Sequence, residues 1–500
     1  MKKFLSNIFT SLLPQGLNIL MDLIIPSLII THYGSEINGI VTTGKTIVTY
    51  ISLVGAGIAT ATTQALYLPM ANNDVRTVKG MLHSTNNVFT KCGFYYCIVS
   101  LVVAAVYPTL INSNRSYAFI SCLLFVIFMY GASEFFAVGS CRSLLYSDQR
   151  VYICNVVQAI SILFGIVLSF VLINIGTSVI VVQLAITLSY VCRAFLLLWY
   201  VKKKYPQYSD FKKMPPNYLA VQKRNDAMVH QFAGIASVGC PTLILSSMVG
   251  LEAASIFSVY NVVFTGLQTI CANLSTALTP YLGKSIALDY AETTKKAYGM
   301  LEMVFFAVVA IVYSVTALVI IPFVKLYTLN ADINYEYPVF AIIFTLASAF
   351  YILKLPGSSL INAAGHFKET KWRAVIEAAI SITVGLLCTK LWGICGVVIG
   401  MLCALGWRCI DTIYYSNKHI LGVSNIKSFV RLVLSLLLIG GSCVVSRILE
   451  VKIVSWGSWI YWSLIFTICI SIITTIFVFV FDKTTLKESK NFIKILLKNK

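Results

Sequence analysis

The chain has 500 residues, of which 58% are hydrophobic and only 11% are charged, and its formal net charge is +19. Its mean hydropathy of +0.83 exceeds what a soluble core of this length requires, so we expect contact with lipid along the chain. The basic residues lie in short loops and at the tail, a distribution typical of membrane topology and anionic headgroups and not of nucleic-acid binding.

The apolar runs are long and unbroken, which predicts spanning α-helices and not the alternating strands of a β-barrel. The first run follows Met1-Lys2-Lys3 and continues to about Ile30 without a small-residue cleavage site, so we expect a retained span. Windows of about 20 apolar residues predict about fourteen spans. They lie at 6–31, 37–64, 86–111, 117–140, 151–173, 178–200, 229–249, 253–280, 298–324, 337–361, 374–391, 394–415, 429–447 and 457–481. The second and eighth are rich in Thr, Ser and Gly, which suits helix packing or a wet cavity.

Basic residues are distributed unequally between alternate loops, as the positive-inside rule requires. The outward loops hold only Arg115, Lys325, Lys390, Arg447 and Lys452. The inward loops and the tail carry most of the others, so we predict an even number of spans with both termini in the cytoplasm. The predicted location is the cell inner (plasma) membrane.

A weak internal repeat relates the two halves of the chain. The run Gly34–Glu36 matches Gly250–Glu252 in its glycine and glutamate, at an offset of 250 − 34 = 216. The run Ala159–Gly165 matches Ala379–Gly385 at nearly the same offset, 379 − 159 = 220. This offset corresponds to six spans, an even number, so the repeat predicts two parallel six-helix lobes around a central cavity, as in transporters.

The repeat also predicts the domain boundaries. We expect lobes at 1–200 and 228–420, joined by a basic cytoplasmic loop at 201–227. Two extra transmembrane helices follow in 421–481, and 482–500 forms a basic cytoplasmic tail.

The fourteen cysteines fall mostly inside apolar runs and form no CxxC pair, so they indicate packing residues and neither a disulfide nor a metal site. The chain has no zinc-ligand spacing, Walker loop or nucleophile elbow, and its five histidines are scattered. We therefore expect a protein that is not an enzyme and needs no cofactor.

The start of the chain resembles a known family. Tyr33-Gly34, with Glu36 and Gly39, leads into the second span, and the glycine-spaced segment Ser52–Ile58 follows. Together with fourteen spans, paired lobes, a basic inter-lobe loop and a Lys-rich tail, this pattern resembles the Wzx-type polysaccharide flippases of the MOP exporter superfamily. That superfamily also contains the MATE drug exporters and the lipid II flippase MurJ.

The resemblance implies a flippase that moves undecaprenyl-diphosphate-linked oligosaccharide repeat units from the cytoplasmic to the periplasmic leaflet by alternating access. The product would supply O-antigen or capsular polysaccharide assembly, with a polysaccharide polymerase and a chain-length regulator as further partners. Two alternatives stay open. A MATE-like ion-coupled drug or cation antiporter should have an acidic cleft, and a membrane glycan polymerase or ligase should have a large outward loop, which this chain lacks.

Charged residues within membrane spans are expensive and usually face a cavity or a partner. The candidates are Asp22, Lys45, Lys91, Glu134, Arg193, Glu302, Lys354, Glu377 and Arg408. Five of these lie near predicted span ends and are expected to extend toward the interface. They are Lys91, Arg193, Glu302, Glu377 and Arg408.

The other four charges lie deeper and suit either a cavity or a structural ion pair. Lys45 is the candidate for contact with an anionic substrate, and Asp22 is the candidate for coupling to a proton or sodium ion, by resemblance to the drug exporters. Glu134 and Lys354 are separated by the repeat offset, 354 − 134 = 220, and are candidates for the substrate cavity. Their opposite charges could face each other across the pseudo-axis.

The charge asymmetry predicts where reporter proteins will lie. Fusions after Lys204 and at Lys498 should both report a cytoplasmic location, because both positions belong to strongly basic segments. A fusion after Arg115, in an outward loop, is the control and should report the opposite side. A periplasmic signal from either of the first two fusions would contradict the scheme of fourteen spans.

Overall fold

A computed structural model describes residues 2–111, 113–208, 210–218, 240–287, 291–448, 453–483 and 485–487. In this part of the chain every regular element is helical and no strand occurs, which confirms the predicted all-α fold. The α-helices are α1 (Lys2–Tyr33), α2 (Ser35–Ala71), α3 (Val75–Leu110), α4 (Tyr117–Ser133), α5 (Gly139–Ser147), α6 (Val151–Asn174), α7 (Val179–Lys204), α8 (Leu251–Ala287), α9 (Ala291–Tyr327), α10 (Pro338–Leu353), α11 (Leu355–Ala364), α12 (Phe367–Trp392), α13 (Ile394–Tyr415), α14 (Ile426–Ile448) and α15 (Trp456–Phe481). Residues 240–248 are helical as well.

Within the described residues, 12 helices are long and apolar enough to cross a membrane, and they coincide with twelve of the fourteen predicted spans. The eighth predicted span lies within α8, whose best window has the lowest mean hydropathy of the twelve, 1.3. The second predicted span lies on α2, a continuous helix of 37 residues that is not among the twelve. The seventh, 229–249, lies mostly outside the described residues.

The last helix, α15, shows how the sequence produces a lipid-facing surface. Only 11% of its most apolar window is buried inside the protein. Large aliphatic side chains repeat on it at every fourth residue, and each is more than half exposed. They are Ile460, Leu464, Ile468, Ile472, Ile476 and Val480. Because residues four apart share one face of a helix, this stripe forms a continuous apolar surface that water would not tolerate and lipid does.

Several helices extend well beyond the predicted spans. α3 begins at Val75 and not near residue 86, and α9 begins at Ala291 and not near residue 298. The start of α3 is capped by Asp74, whose side chain accepts a hydrogen bond from the backbone N–H of Thr77 at 3.0 Å. Hydrogen bonding to Thr77 lowers the pKa of Asp74 below its ordinary value. Since helical hydrogen bonds continue outside lipid, a hydropathy window underestimates how far each helix runs.

Local structure follows the predicted repeat. Gly34 and Gly250 immediately precede α2 and α8, and both have positive φ angles, 93° and 133°, which favour glycine. A Cβ atom at Gly165, on α6, would lie 3.1 Å from Ser189 Oγ on α7. A Cβ atom at Gly400, on α13, would lie 2.5 Å from the backbone nitrogen of Gly385 on α12. The matched glycines Gly165 and Gly385 therefore lie at corresponding helix interfaces.

Contacts divide the chain into two compact units. The first comprises Met1–Ser258 with Asn330–Ile333, and the second comprises Val259–Leu329 with Asn334–Lys500. The predicted lobe limits at 1–200 and 228–420 remain a prediction.

In the second unit, a buried charge cluster joins α9, α14 and the end of α15. Arg431 donates from Nε and Nη2 to the two carboxylate oxygens of Asp482, at 2.5 and 2.8 Å, and from Nη1 to Glu302 Oε2 at 2.5 Å. Glu302 is 2% exposed and also accepts from Ser428 Oγ at 2.8 Å. Burial alone would raise the pKa of Asp482, but the hydrogen bonds and charge of Arg431 outweigh it and lower that pKa. This cluster attaches the two extra helices to α9 through a fork-shaped cation that satisfies two carboxylates.

Replacing Arg431 with methionine should reduce the free energy of unfolding by about 3–5 kcal/mol, because two buried carboxylates would lose their counter-charge. Thermal unfolding followed by tryptophan fluorescence measures this directly. Arg447→Met is the matched control, since Arg447 is exposed at the other end of α14. An equal loss in both variants would contradict a stabilising role for the cluster.

Candidate functional site

The fourth predicted span contains an interruption. α4 ends at Ser133, residues Glu134–Val138 form a π-helical segment, and α5 begins at Gly139. A π turn holds one residue more than an α turn and is rare, and such segments often occur at functional sites. Glu134 is the first residue of this π segment, so its carboxylate lies where the regular hydrogen-bond ladder changes.

Glu134 is neutralised by arginines of the same unit. Its carboxylate forms an ion pair with Arg193 of α7, and Arg142 Nη1 lies 3.6 Å from Glu134 Oε2. Arg193 is only 6% exposed, and its guanidinium also lies over the ring of Tyr190, 5.3 Å from the centroid. A buried arginine of this kind requires a counter-charge, and the cation–π contact adds a second stabilising partner.

The other two deep charges of this unit lie on the first two helices. Asp22 on α1 is exposed, and Lys45 on α2 is half-buried. Asp22 lies within electrostatic range of Lys45 and of Tyr130 and Tyr190, whose ring centroids are 4.9 Å apart. Asp22 and Lys45 therefore belong to the same neighbourhood as the arginine that pairs with Glu134. We call this set the first charge cluster; it comprises Asp22, Lys45, Glu134, Arg142 and Arg193, three cations and two anions.

The tenth predicted span is also interrupted, at a charged residue. α10 ends at Leu353 and α11 begins at Leu355, with Lys354 between them. Pro356, in the first turn of α11, has no backbone N–H and cannot continue the ladder of the preceding helix. Because Glu134 and Lys354 are separated by the repeat offset, the two halves break corresponding spans at corresponding positions. Each break holds a charge, and the two charges have opposite signs.

A second charge cluster surrounds Lys354. Lys354 Nζ lies 2.5 Å from Glu377 Oε1 on α12, and Arg408 Nε on α13 lies 3.4 Å from Glu377 Oε2. Arg408 Nη1 also contacts Asp411 Oδ2 at 3.0 Å, and Arg373 forms an ion pair with Asp411. The second charge cluster therefore alternates cations and anions and contains three cations and two anions.

Four of the residues expected to extend toward the interface do not do so. Arg193, Glu302 and Glu377 are buried, and Arg408 is half-buried in the second charge cluster. That expectation is wrong for these four because each has an oppositely charged partner inside the protein. Glu302 and Glu377 also lie on helices that begin about seven residues before the predicted spans. Glu377, for example, lies about 15 Å along α12 from the start of that helix, at the rise of an α-helix. Lys91 is exposed.

The structure places Glu134 and Lys354 each beside a counter-charge of its own unit, so neutralisation of either requires no partner in the other half. A role of both residues in a substrate cavity remains a prediction, as do the roles of Lys45 and Asp22. Sequence reasoning missed the counter-charges Arg193 and Glu377. The available signal was the opposite sign of charges placed centrally on other helices of the same half.

Comparisons with known proteins give no match to any family model and none to any curated protein. Solved structures do match. The inward-facing conformation of a multidrug resistance MATE family transporter of the MOP superfamily has a TM-score of 0.66 and 14% identity, and the match covers 82% of this chain and 97% of that chain. The lipid II flippase MurJ, in an inward closed conformation, has a TM-score of 0.67 and 14% identity, covering 98% of this chain and 99% of that chain.

A third match is a MOP superfamily transporter from Pyrococcus furiosus whose binding pocket is described as having reverse polarity. It has a TM-score of 0.59 and 12% identity, and the match covers 83% of this chain and 95% of that chain. Likeness at this level of identity concerns the fold. This chain therefore has the helical membrane fold that MATE transporters and MurJ share.

The second charge cluster predicts unequal effects of its two closest members. Glu377→Gln should lower the free energy of unfolding by about 3–5 kcal/mol, because Lys354 and Arg408 both lose the carboxylate that neutralises them. Lys354→Met should lower it by less than about 2 kcal/mol, because Glu377 keeps Arg408. Chemical or thermal unfolding of the purified variants measures both.

In the double variant the two losses should not add, since the variants remove a shared contact. Lys390→Met is the control, because Lys390 is an exposed lysine near the end of the same helix. Equal and additive losses would show that the close contact between Lys354 and Glu377 contributes nothing specific.

Proposed function

We propose that this protein is a Wzx-type flippase of the inner membrane. It moves undecaprenyl-diphosphate-linked oligosaccharide repeat units from the cytoplasmic to the periplasmic leaflet by alternating access, for O-antigen or capsule assembly. A polysaccharide polymerase and a chain-length regulator would act on the product. The observation that carries the proposal is the likeness to the lipid II flippase MurJ over 98% of this chain.

The extent of that likeness supports a flippase over a drug exporter. The match to the inward-facing MATE transporter covers 82% of this chain, whereas the match to MurJ covers 98%. The difference is about as long as the part of the chain beyond residue 420. That part holds α14 and α15, the two helices that lie outside the internal repeat.

The balance of charge supports an anionic substrate. Each of the two charge clusters contains three cations and two anions, so each keeps one excess positive charge. A diphosphate loses its hydration when it enters a membrane protein, and that desolvation is very unfavourable unless fixed cations offset it. Lys45 is suited to this because an ammonium group acts as a point charge and requires no planar partner.

The MATE-like antiporter is the second candidate, and one observation favours it. Asp22 is an exposed carboxylate well inside α1, where a proton or sodium ion could bind and drive exchange. In a flippase the same carboxylate would serve as the coupling site. The two candidate functions therefore differ in the substrate that is transported, and the test has to identify that substrate.

Deleting the gene, in a strain without a redundant flippase, should remove a surface polysaccharide and leave undecaprenyl-linked repeat units on the cytoplasmic side. Complementation with Lys45→Arg should restore part of the export, whereas Lys45→Ala should reduce it at least about tenfold, as expected for one lost charge-assisted contact. Glycan labelling at the surface measures the exported product, and extraction of the lipid-linked intermediate measures what remains inside.

Lys91→Ala is the matched control, because Lys91 is an exposed lysine on a neighbouring helix, and it should export normally. Immunoblotting of membranes must show equal protein for all variants. Unchanged surface glycan after deletion would overturn the proposal, and increased sensitivity to cationic drugs would favour the antiporter.

A further inference from the structure

A groove opens on the side of the first unit, among α3, α5, α7 and the segment that follows α7. Its volume is about 450 Å³. Aromatic side chains from three elements line it: Phe136 of the π segment, Phe195 and Trp199 of α7, and Phe211 of the following segment. We call it the lateral groove. It contains neither Asp22 nor Lys45, so it is distinct from the first charge cluster.

The lateral groove is open on its apolar side. Phe195 is 67% exposed, Trp199 is 62% exposed and Phe136 is 43% exposed. All three lie on helices that cross the membrane, so the medium they face is lipid. Aromatic rings at one end of a span are typical of the interface, where their apolar bodies contact acyl chains.

Two lysines form the polar end of the lateral groove, Lys202 at the end of α7 and Lys212 in the following segment. Both are exposed, and among the residues that the structure describes neither ammonium takes part in an ion pair. Their sequence neighbours are engaged differently. Lys203 Nζ lies over the ring of Trp199, 5.1 Å from its centroid, and Lys213 pairs with Asp210 at 3.0 Å.

The segment that carries Lys212 is held in place by α3. The backbone N–H of Asn217 donates to Gly80 O at 2.9 Å, and Ser84 Oγ donates to Asn217 O at 2.5 Å. His83 Nδ1 donates to Met214 O at 2.6 Å. These bonds fix a segment that the sequence presents only as a basic loop, so the two ammonium groups flank a preformed groove.

We propose that the lateral groove binds one anionic phospholipid of the cytoplasmic leaflet. The phosphodiester lies between the Lys202 and Lys212 ammonium groups, and an acyl chain lies against Phe195, Trp199 and Phe136. The predicted topology puts this end of α7 at the cytoplasmic surface, where anionic lipids are attracted to basic segments. The proposal does not depend on the proposed function.

A lipid bound in the lateral groove is connected to the interior of the first unit through one element, the π segment. Phe136 and Glu134 belong to the same five-residue π segment, so a lipid in contact with Phe136 touches the segment whose first residue pairs with Arg193. Anionic lipid bound here would therefore stabilise one arrangement of the interrupted helix. This effect depends on the lipid composition of the membrane and not on the transported substrate.

The test compares two double variants of equal charge. Lys202→Gln/Lys212→Gln removes the two groove lysines, and Lys203→Gln/Lys213→Gln removes their neighbours, so the long-range field changes equally. Binding of palmitoyl-oleoyl phosphatidylglycerol to the detergent-purified full-length protein is measured by native mass spectrometry. The groove variant should bind it about 30-fold more weakly, about fivefold for each lysine, and the neighbour variant should lose less than about threefold.

Two further probes identify the occupant. Phosphatidylcholine with the same chains should bind the wild type weakly and equally in both variants. Equal losses of phosphatidylglycerol in the two variants, or none in either, would overturn the proposal. Undecaprenyl phosphate that binds more tightly than phosphatidylglycerol and is lost in the groove variant would also overturn it, because the groove would then hold a carrier lipid. The two double variants should unfold at the same temperature, since all four lysines are exposed. Equal stability is needed so that a difference in lipid binding can be assigned to the groove lysines.

Discussion

The need to neutralise charge in a medium of low dielectric constant is the constraint on which the arrangement of these helices depends. A single buried ion in such surroundings is destabilising by several kcal/mol, and its pairing is required before any helix that carries it can remain in the membrane. In this protein the buried arginines Arg193 and Arg431 each face at least one carboxylate. The pairs therefore determine which helices must be neighbours.

These ion pairs connect elements that are separated along the chain by at least one other helix. Glu134 with Arg193 links the π segment to α7, Lys354 with Glu377 links the break before α11 to α12, and Arg431 with Glu302 links α14 to α9. The consecutive helices α12 and α13 are held in two ways, by the ion pairs of Arg408 with Glu377 and of Arg373 with Asp411 and by close approach at small residues such as Gly400 beside Gly385. The first kind of contact depends on charge and direction, and the second depends on shape. Together, the two kinds of contact hold the helices within each unit.

The fold was predictable from the sequence because hydropathy and the positive-inside rule act on averages over many residues. Lipid contact, the all-α class and twelve of the predicted spans follow from those averages. The interruptions at Glu134 and Lys354 were not predictable in the same way. A π segment results from one inserted residue in a helix of ordinary composition, and a hydropathy window does not respond to it. Only Pro356, directly after Lys354-Leu355, was a local sign of a break, and span 117–140 contains no comparable signal.

The candidate site, like the fold, was predictable from the sequence only in part. The sequence identifies which charges are deep, and the repeat offset singles out Glu134 with Lys354. It does not identify their partners, because span ends set by hydropathy placed Arg193 and Glu377 near the surface. Helix ends outside lipid are determined by caps such as Asp74 and by loops that pack back on a helix, as residues 214–217 do on α3. These are specific contacts between particular side chains, and averaging over a window removes them.

The π segment imposes a condition on how its helix can change shape. An α turn advances about 100° per residue, and a π turn accommodates one residue more in nearly the same length. Moving the extra residue along the chain by one turn therefore rotates everything between its old and new positions by about 100°, without breaking the helix. Glu134, now directed to Arg193, would turn toward a different neighbour, and Phe136 would leave the lateral groove. Moving the π segment along the helix would therefore exchange the side chains that face each side of the helix.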